Sequence, residues 1–223
     1  MIPRELIGVA DVPEGPPLRL FRHDGDFIVM LERNELMNSR VSGSEVALGT
    51  MTCQRLQAPA AARLLVGGYG MGFTLRAVLA ELGRDARIVV AELVSGIIDW
   101  ARGPMEKLTD GCLDDPRVEI RINDVMAVMA AGRGMYDAIL LDVDNGPHGV
   151  TREANNSLYT RSGLAVARKA LKPGGILAVW SAEADAVFTR RLGAAGFTFD
   201  ELRVPARANG KGPKHTIWFA TAP

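Results

Sequence analysis

The chain has 223 residues, of which 48% are hydrophobic, and this length allows one large domain with a small appendage. Lys plus Arg and Asp plus Glu number 26 each, so the net charge points to neither a nucleic-acid nor a membrane partner. No apolar run approaches the ~20 residues that a membrane-spanning helix needs. Cys53 and Cys112 match no metal motif, and the N-terminus has no signal-peptide pattern. We therefore expect free thiols, no metal and a cytoplasmic location.

The first forty residues differ in pattern from the rest of the chain. Residues 18–22 and 27–31 alternate polar and apolar side chains around a turn at 23–26, which predicts a β-hairpin. An apolar face over residues 44–56 predicts a helix. We accordingly divide the chain into a small β region at 1–42 and a larger α/β domain at 43–223.

A glycine-rich turn follows the first apolar strand of the larger domain. This strand runs into Gly68, Gly70 and Gly72, and a helix is predicted directly after them. Glycine permits a sharp turn from strand to helix and lets a ligand lie against the main chain, where the helix N-terminus faces it. Such a turn is a weak signal by itself, because many of these glycines serve packing only.

Each of the next three predicted strands ends in an acid. The first closes with Glu92, about 20 residues after the glycines, a spacing at which a carboxylate can accept both ribose hydroxyls. The second is followed by Asp124, and the third by Asp142 and Asp144. Because ligands of an open α/β sheet bind at the carboxyl ends of its strands, the pattern predicts a nucleoside site.

The order of the elements predicts the fold class. Strands are predicted at 64–67, 87–92, 118–122, 136–141 and 176–181, and helices at 73–80, 94–102, 125–131, 156–171 and 185–194. Two further strands, at 197–204 and 215–220, have no helix between them, so we expect an antiparallel hairpin at one sheet edge. This α/β layout is the Rossmann-like one of S-adenosylmethionine-dependent transferases, because a nicotinamide-binding domain would continue the alternation.

Several segments resemble motifs of the spermidine synthase family, the aminopropyltransferases. Residues 114–119 (DDPRVE), followed by Asp124, resemble the family's DPRV segment and the aspartate after it. Residues 136–142 (YDAILLD) resemble YDvIivD, and residues 158–160 (LYT) and 171–181 (LKPGGILAVWS) resemble LYT and LKPGGilv. The resemblance covers the chain from the predicted hairpin to the C-terminus.

The resemblance implies a role for each matching residue. Glu92 would bind the ribose hydroxyls of an S-adenosyl donor, Asp124 the adenine amino group, and Asp142 would help to deprotonate the attacking amine. The whole set expected to hold the donor is Gly68, Tyr69, Gly70, Gly72, Glu92, Leu93, Asp124, Val125 and Asp142. The residues expected to take part in the transfer are Asp142, Asp144 and Tyr159. A loop-bracing aspartate at 142 and a packed tyrosine at 159 are the structural alternatives.

Three departures from the family leave the substrate open. Met71, or Tyr69 if the alignment shifts, stands where the family's glycine loop has an aspartate that contacts the amine of decarboxylated S-adenosylmethionine. The family's DxSDP segment is shortened at 142–147, and its YHE becomes Gly43-Ser44-Glu45. Without the loop aspartate, the site has room for intact S-adenosylmethionine.

The carboxylate of the intact donor would need a positive partner. Arg40 and Arg76 are the candidates for it. Asp144 is instead a candidate to replace the lost aspartate, which would keep the decarboxylated donor. The residues alone do not choose between the two donors.

The resemblance implies an aminopropyl transfer from decarboxylated S-adenosylmethionine to a small amine such as putrescine. A methyl transfer from S-adenosylmethionine on the same fold is the alternative, and a non-catalytic nucleoside-binding scaffold is the second alternative. The family also implies a homodimer, formed through the N-terminal region.

Overall fold

The structure is a computed structural model that describes residues 3–143, 146–147 and 157–223. The strands of these residues form two β-sheets. The smaller sheet is antiparallel and has the order β1-β2-β3-β4. Its strands are β1 (Glu5–Val12), β2 (Gly15–His23), β3 (Asp26–Leu31) and β4 (Asn34–Asn38).

The predicted N-terminal hairpin is confirmed as β2 and β3. The backbones of Asp24 (φ 51°) and Gly25 (φ 86°) are both left-handed at its turn, as a tight two-residue hairpin requires. The flanking strands β1 and β4 were not predicted. Most residues of β1 are exposed or half-buried, so this edge strand lacks the apolar alternation that marks a strand in a sequence.

The larger sheet has seven strands in the order β10-β11-β9-β8-β5-β6-β7. Its strands are β5 (Arg63–Gly67), β6 (Arg87–Glu92), β7 (Val118–Ile122), β8 (Tyr136–Leu141), β9 (Leu171–Ser181), β10 (Thr198–Pro205) and β11 (Lys214–Thr221). The five neighbouring strands β9, β8, β5, β6 and β7 are parallel to one another. Strand β11 is antiparallel to both β9 and β10. The Rossmann-like sheet and the antiparallel hairpin at its edge are therefore confirmed.

Side chains of the parallel strands alternate between two hydrophobic cores, one on each face of the sheet. On β8, Ala138 and Leu140 pack on one face with α1, α2, α3 and the smaller sheet, and Ile139 and Leu141 pack on the other with α5, α6 and α7. The α-helices of the described residues are α1 (Gly43–Cys53), α2 (Phe73–Glu81), α3 (Ser95–Arg102), α4 (Glu106–Thr109), α5 (Val125–Ala131), α6 (Arg161–Ala170) and α7 (Ala186–Ala194). In the described ranges, no helix has the length and apolar character needed to cross a bilayer.

The boundary between α6 and β9 differs from the prediction. The helix expected at 156–171 begins at Arg161, after Thr160, whose hydroxyl accepts a hydrogen bond from the N–H of Gly163 at 3.2 Å. Residue 156 itself lies outside the described residues. The Lys-Pro-Gly-Gly segment at 172–175, expected to stop the helix before a strand at 176, lies inside β9, which starts at Leu171 directly after the helix. A register shift opposite Tyr136 and Ala138 accommodates it.

The turn after β5 holds the ends of two neighbouring strands together. Gly68 has a φ of +85°, and its N–H donates to the carbonyl oxygen of Ala91 at the end of β6 (2.9 Å). A Cβ atom at this position would overlap the carbonyl oxygen of Asp142, directly after β8. Only glycine therefore fits between these two strand ends.

Replacing Gly68 tests this close contact, and Gly25 offers a matched control. Gly25 has nearly the same φ (+86°), but no atom lies within 4 Å of a Cβ built on it. We expect Gly25→Ala to lower the free energy of unfolding by about 1–2 kcal/mol, the cost of left-handed alanine. Gly68→Ala should lose a further amount of about 1–3 kcal/mol from overpacking. Urea denaturation measures both, and equal losses would contradict the contact.

Candidate active site

A cavity of about 130 Å³ lies at the carboxyl ends of β5, β6, β7 and β8, beneath the smaller sheet. From the larger sheet and its turns it is lined by Gly68, Gly70, Glu92, Leu93, Asp124, Val125 and Asp142. From the smaller sheet it is lined by Val12, Leu18, Leu31, Leu36 and Met37. Seven of the nine residues predicted to hold an S-adenosyl donor thus share one cavity.

Glu92 is held rigidly at the end of β6. Its two carboxylate oxygens accept hydrogen bonds from the backbone N–H groups of Tyr69 (2.9 Å) and Val94 (2.8 Å), and the residue is only 6% exposed. Burial raises the pKa of Glu92, and these backbone hydrogen bonds oppose the shift. The geometry provides a fixed acceptor group in the wall of the cavity, suited to a pair of ligand hydroxyls.

Asp124 both starts a helix and lines the cavity. Its Oδ1 accepts a hydrogen bond from the N–H of Met126 (2.7 Å), which caps the N-terminus of α5. Its other carboxylate oxygen accepts no hydrogen bond from the residues described, which leaves an acceptor for a ligand donor group. The capping role and the predicted binding role are therefore compatible.

A second cavity, of about 90 Å³, adjoins the first. Leu36, Met37, Gly70 and Asp142 line both cavities. The second cavity is further lined by Val41, Glu45, Tyr69, Met71, Phe73 and Trp180. Asp142 thus lies at the junction between the two spaces.

Two acids face each other across the second cavity. The hydroxyl of Thr74 is 2.6 Å from Oδ2 of Asp142, to which it donates, and 3.2 Å from the carbonyl oxygen of Glu45. Burial raises the pKa of Asp142 to about 6. Burial first, and the negative charge of Asp142 second, raise the pKa of Glu45 to about 7. Both acids are therefore able to exchange a proton near neutral pH.

The cavities contain carboxyl groups without cationic partners. Glu45, Glu92, Asp124 and Asp142 line them, whereas among the described residues no Lys, Arg or His side chain does. The expectation that Arg40 or Arg76 could meet a donor carboxylate is not supported. Arg40 forms an ion pair with Asp26 (3.0 Å), and Arg76 donates to the carbonyl oxygen of Leu108 (2.8 Å). The electrostatics of the site suit a cationic ligand.

The residues of the altered glycine loop have separate roles. Met71 is buried and lines the second cavity. An apolar side chain therefore occupies the position at which the family's glycine loop has an aspartate. The hydroxyl of Tyr69 lies 3.4 Å from the sulfur of Cys112 in the core, while its backbone supports Glu92. Gly72 precedes α2 as its N-cap and does not line either cavity.

Of the other predicted transfer residues, the structure describes Tyr159, which lines neither cavity. Tyr159 is buried, its ring meets that of Phe188 edge to face at 5.6 Å, and its hydroxyl donates to the carbonyl oxygen of Val143 (3.5 Å). This placement supports the packing interpretation of Tyr159. Asp144 lies outside the described residues, so its assignment stays a prediction.

Sequence reasoning missed a group of polar residues beside the second cavity. Thr74 holds Asp142 from 68 positions away, and Ser44 contacts His215, for which the sequence indicated no partner. The sequence did indicate Glu45, since it is the one residue retained from the YHE motif. Thr74 and His215 had none, because only the folded sheet brings them to this place.

Comparisons with known proteins identify the family of the chain. The spermine/spermidine synthase domain profile matches residues 52–188, more than half of the chain. The polyamine aminopropyltransferase of Nitrosomonas europaea is 38% identical over 116 residues, which make up 52% of this chain and 34% of that protein. The polyamine aminopropyltransferase 2 of Pseudomonas aeruginosa is 33% identical over 124 residues, 54% of this chain and 33% of that protein. The chain thus spans about a third of the length of these curated relatives.

The fold has a counterpart among solved structures. The spermidine synthase from Thermotoga maritima superposes with a TM-score of 0.76, covering 98% of this chain and 73% of that one. At 19% identity this likeness concerns the fold alone. On the match of the domain profile, the chain belongs to the spermine/spermidine synthase domain family.

Proposed function

We propose that this protein transfers an aminopropyl group from decarboxylated S-adenosylmethionine to the nitrogen of a small amine such as putrescine. The observation that carries this proposal is the lining of the two cavities, with four carboxyl groups and no cationic side chain among the described residues. The decarboxylated donor carries a sulfonium and an ammonium group and no carboxylate, and a diamine adds further positive charge. Buried charges of this kind require anionic partners.

The family and the names of its curated relatives support the same reaction. The matched proteins of Nitrosomonas europaea and Pseudomonas aeruginosa are both named polyamine aminopropyltransferases. Because the chain spans only about a third of their length, their activity is carried over here as part of the proposal.

The positions of the acids divide the work between the two cavities. Glu92 and Asp124 hold the ribose and the adenine of the donor in the first cavity, with Leu93 and Val125 beside them. Glu45 and Asp142 face the amine in the second cavity.

The amine nitrogen forms a bond to the propyl carbon, the C–S bond breaks, and its electron pair stays on sulfur. Asp142, at the junction, orients the amine and accepts its proton.

The two alternatives fit the site less well. Intact S-adenosylmethionine would bring a carboxylate into a cleft whose described side chains offer it no cation, and Arg40 and Arg76 are engaged elsewhere. Burial of two acids with raised pKa values costs folding free energy, and a non-catalytic scaffold would gain no function in return. Transfer to an amine accounts for both features.

We further propose a cytoplasmic homodimer. The absence of a disulfide between the buried Cys53 and Cys112 is compatible with a reducing compartment. Strand β1 leaves Leu6 and Val9 more than half exposed, at 52% and 56%, and these apolar side chains would be covered by a second copy.

Calorimetric titration with the two donors tests the donor assignment. We expect the decarboxylated donor to bind at least about tenfold more tightly than S-adenosylmethionine, because no described side chain neutralises the carboxylate of the latter. The opposite order would favour a methyltransferase, and binding of neither donor would refute the nucleoside site.

Glu92→Gln tests the ribose contact. An amide can accept only one of the two backbone hydrogen bonds, and it weakens the pair of acceptors offered to the ligand. We expect donor affinity to fall about 10- to 100-fold in calorimetry. Glu119→Gln is the matched control, since Glu119 is 58% exposed, is paired with Arg121 and lines neither cavity. Equal donor affinity in the two variants would overturn the assignment.

Asp142→Asn tests the role of the junction acid. We expect kcat to fall about 10²- to 10⁴-fold, as for loss of a general base, with donor affinity nearly unchanged. Because the pKa of Asp142 is raised to about 6, wild-type kcat should rise with pH through this value as the carboxylate ionises. The variant should lose this step, whereas Asp200→Asn, at an exposed carboxyl, should retain it. An unchanged kcat in Asp142→Asn would remove the assigned role.

A further inference from the structure

The hydroxyl of Ser44 links the second cavity to the last strand of the sheet. Its Oγ lies 2.6 Å from Oε2 of Glu45 and 2.8 Å from Nδ1 of His215. Ser44 is fully buried in the first turn of α1, and His215 is a half-buried residue of β11, 171 positions away. A continuous chain of hydrogen bonds therefore runs from a cavity acid to an imidazole outside the cavity.

The close approach of two backbones makes this contact possible. The N–H of Gly43 donates to the carbonyl oxygen of Ala206 at 2.8 Å, and a Cβ at Gly43 would overlap the backbone of Arg207. The segment after β10 therefore packs against the start of α1, which brings β11 beside Ser44. The ring of Trp180 meets the imidazole of His215 edge to face, with centroids 4.9 Å apart, and fixes its orientation.

The same three groups can hold one proton in two arrangements. In the first, the protonated carboxyl of Glu45 donates to Ser44, and the Ser44 hydroxyl donates to Nδ1 of His215. In the second, Glu45 is ionised and accepts from Ser44, and Nδ1–H of a charged imidazole donates to Ser44. Moving the two hydrogens along the chain converts one arrangement into the other without any change in heavy-atom positions. The imidazolium can then release the proton on Nε2 to water, and proton exchange of the neutral ring with water restores the Nε2–H form, which is the first arrangement.

We propose that Ser44 and His215 form a relay that removes the proton lost by the acceptor amine from the cavity. This inference rests on the proposed transfer to an amine. The amine enters mainly as an ammonium ion and must lose a proton before its nitrogen attacks carbon. Asp142 and Glu45 take up this proton, and Ser44 passes its own hydroxyl proton to His215 while accepting one from Glu45.

The surroundings of His215 favour a transient acceptor. Burial lowers the pKa of His215, so the ring is neutral and ready to accept when the reaction begins. Glu45 is the charged group that faces it, through Ser44 on α1, with Asp142 behind Glu45. Strand β9 presents Trp180 to the ring, and Val204 is the residue opposite on β10. Ser44 and His215 act through Glu45, so they are positioning residues in this scheme.

Steady-state kinetics of Ser44→Ala, His215→Gln and the double variant test the relay. We expect each single variant to lower kcat about tenfold or more, with KM for donor and amine changed less than twofold. The double variant should be no slower than the slower single variant, because either change breaks the same chain. The loss should shrink between pH 7.5 and about 9.5, as more of the amine arrives neutral.

Ser162→Ala is the matched control. Its exposed hydroxyl bonds to Thr160 outside both cavities, and kcat should stay at the wild-type value. Losses in the relay variants that are additive, confined to KM or independent of pH would overturn the proposal, and so would an unchanged kcat.

Imidazole NMR provides a readout that does not need turnover. While Glu45 is protonated, we expect neutral His215 to carry its proton on Nε2, so that Nδ1 accepts a hydrogen bond from Ser44. Glu45→Gln should lower the pKa of His215, because it removes a negative charge that stabilises the imidazolium, and Ser44→Ala should abolish the Nδ1 hydrogen bond. If neither variant changes the His215 signals, the relay is refuted. Absence of turnover in the wild type with every donor and amine would instead refute the proposed function.

Discussion

The contact between Gly68 and the end of β8 is the constraint on which the site depends. Because this glycine has no side chain, the turn after β5 lies directly against Asp142 and bonds to the end of β6. The next N–H of the same turn holds Glu92. One short backbone segment therefore contacts both Glu92 and the residue Asp142, and both acids line the same cavity.

The sequence predicted the parallel strands well because their side-chain patterns are distinct. Nearly continuous apolar runs located the buried strands β6 and β8 to the residue, the alternation of apolar and charged side chains located β7, and an apolar run located α5. The edge strand β1 escaped prediction because it is largely exposed and its pattern is set by pairing with β2. The Lys-Pro-Gly-Gly segment at 172–175 was expected only to stop the helix, and the start of β9 at Leu171 was missed because pairing with β8 on both sides of the segment sets it.

The site was predictable where topology alone determines it. Glu92, Asp124 and Asp142 follow parallel strands, whose carboxyl ends must meet at one edge of the sheet. The contact of Ser44 with His215 was not predictable, because it depends on how closely the last hairpin approaches α1. The same holds for the lack of a cationic side chain among the described lining residues, since hydrogen bonds hold arginine side chains such as Arg76 elsewhere.

The acidic lining of the cleft also makes the stability of the folded chain depend on the concentration of its ligand. The negative charge of Asp142 opposes ionisation of Glu45, and the cationic ligand proposed above would relieve this repulsion. A ligand that binds only the folded state stabilises it by RT ln(1 + [L]/Kd), about 2.7 kcal/mol at a hundredfold excess over Kd. The unfolded fraction that proteases can attack falls accordingly. A cell rich in the cationic ligand would therefore keep more of this protein, without any change in its synthesis.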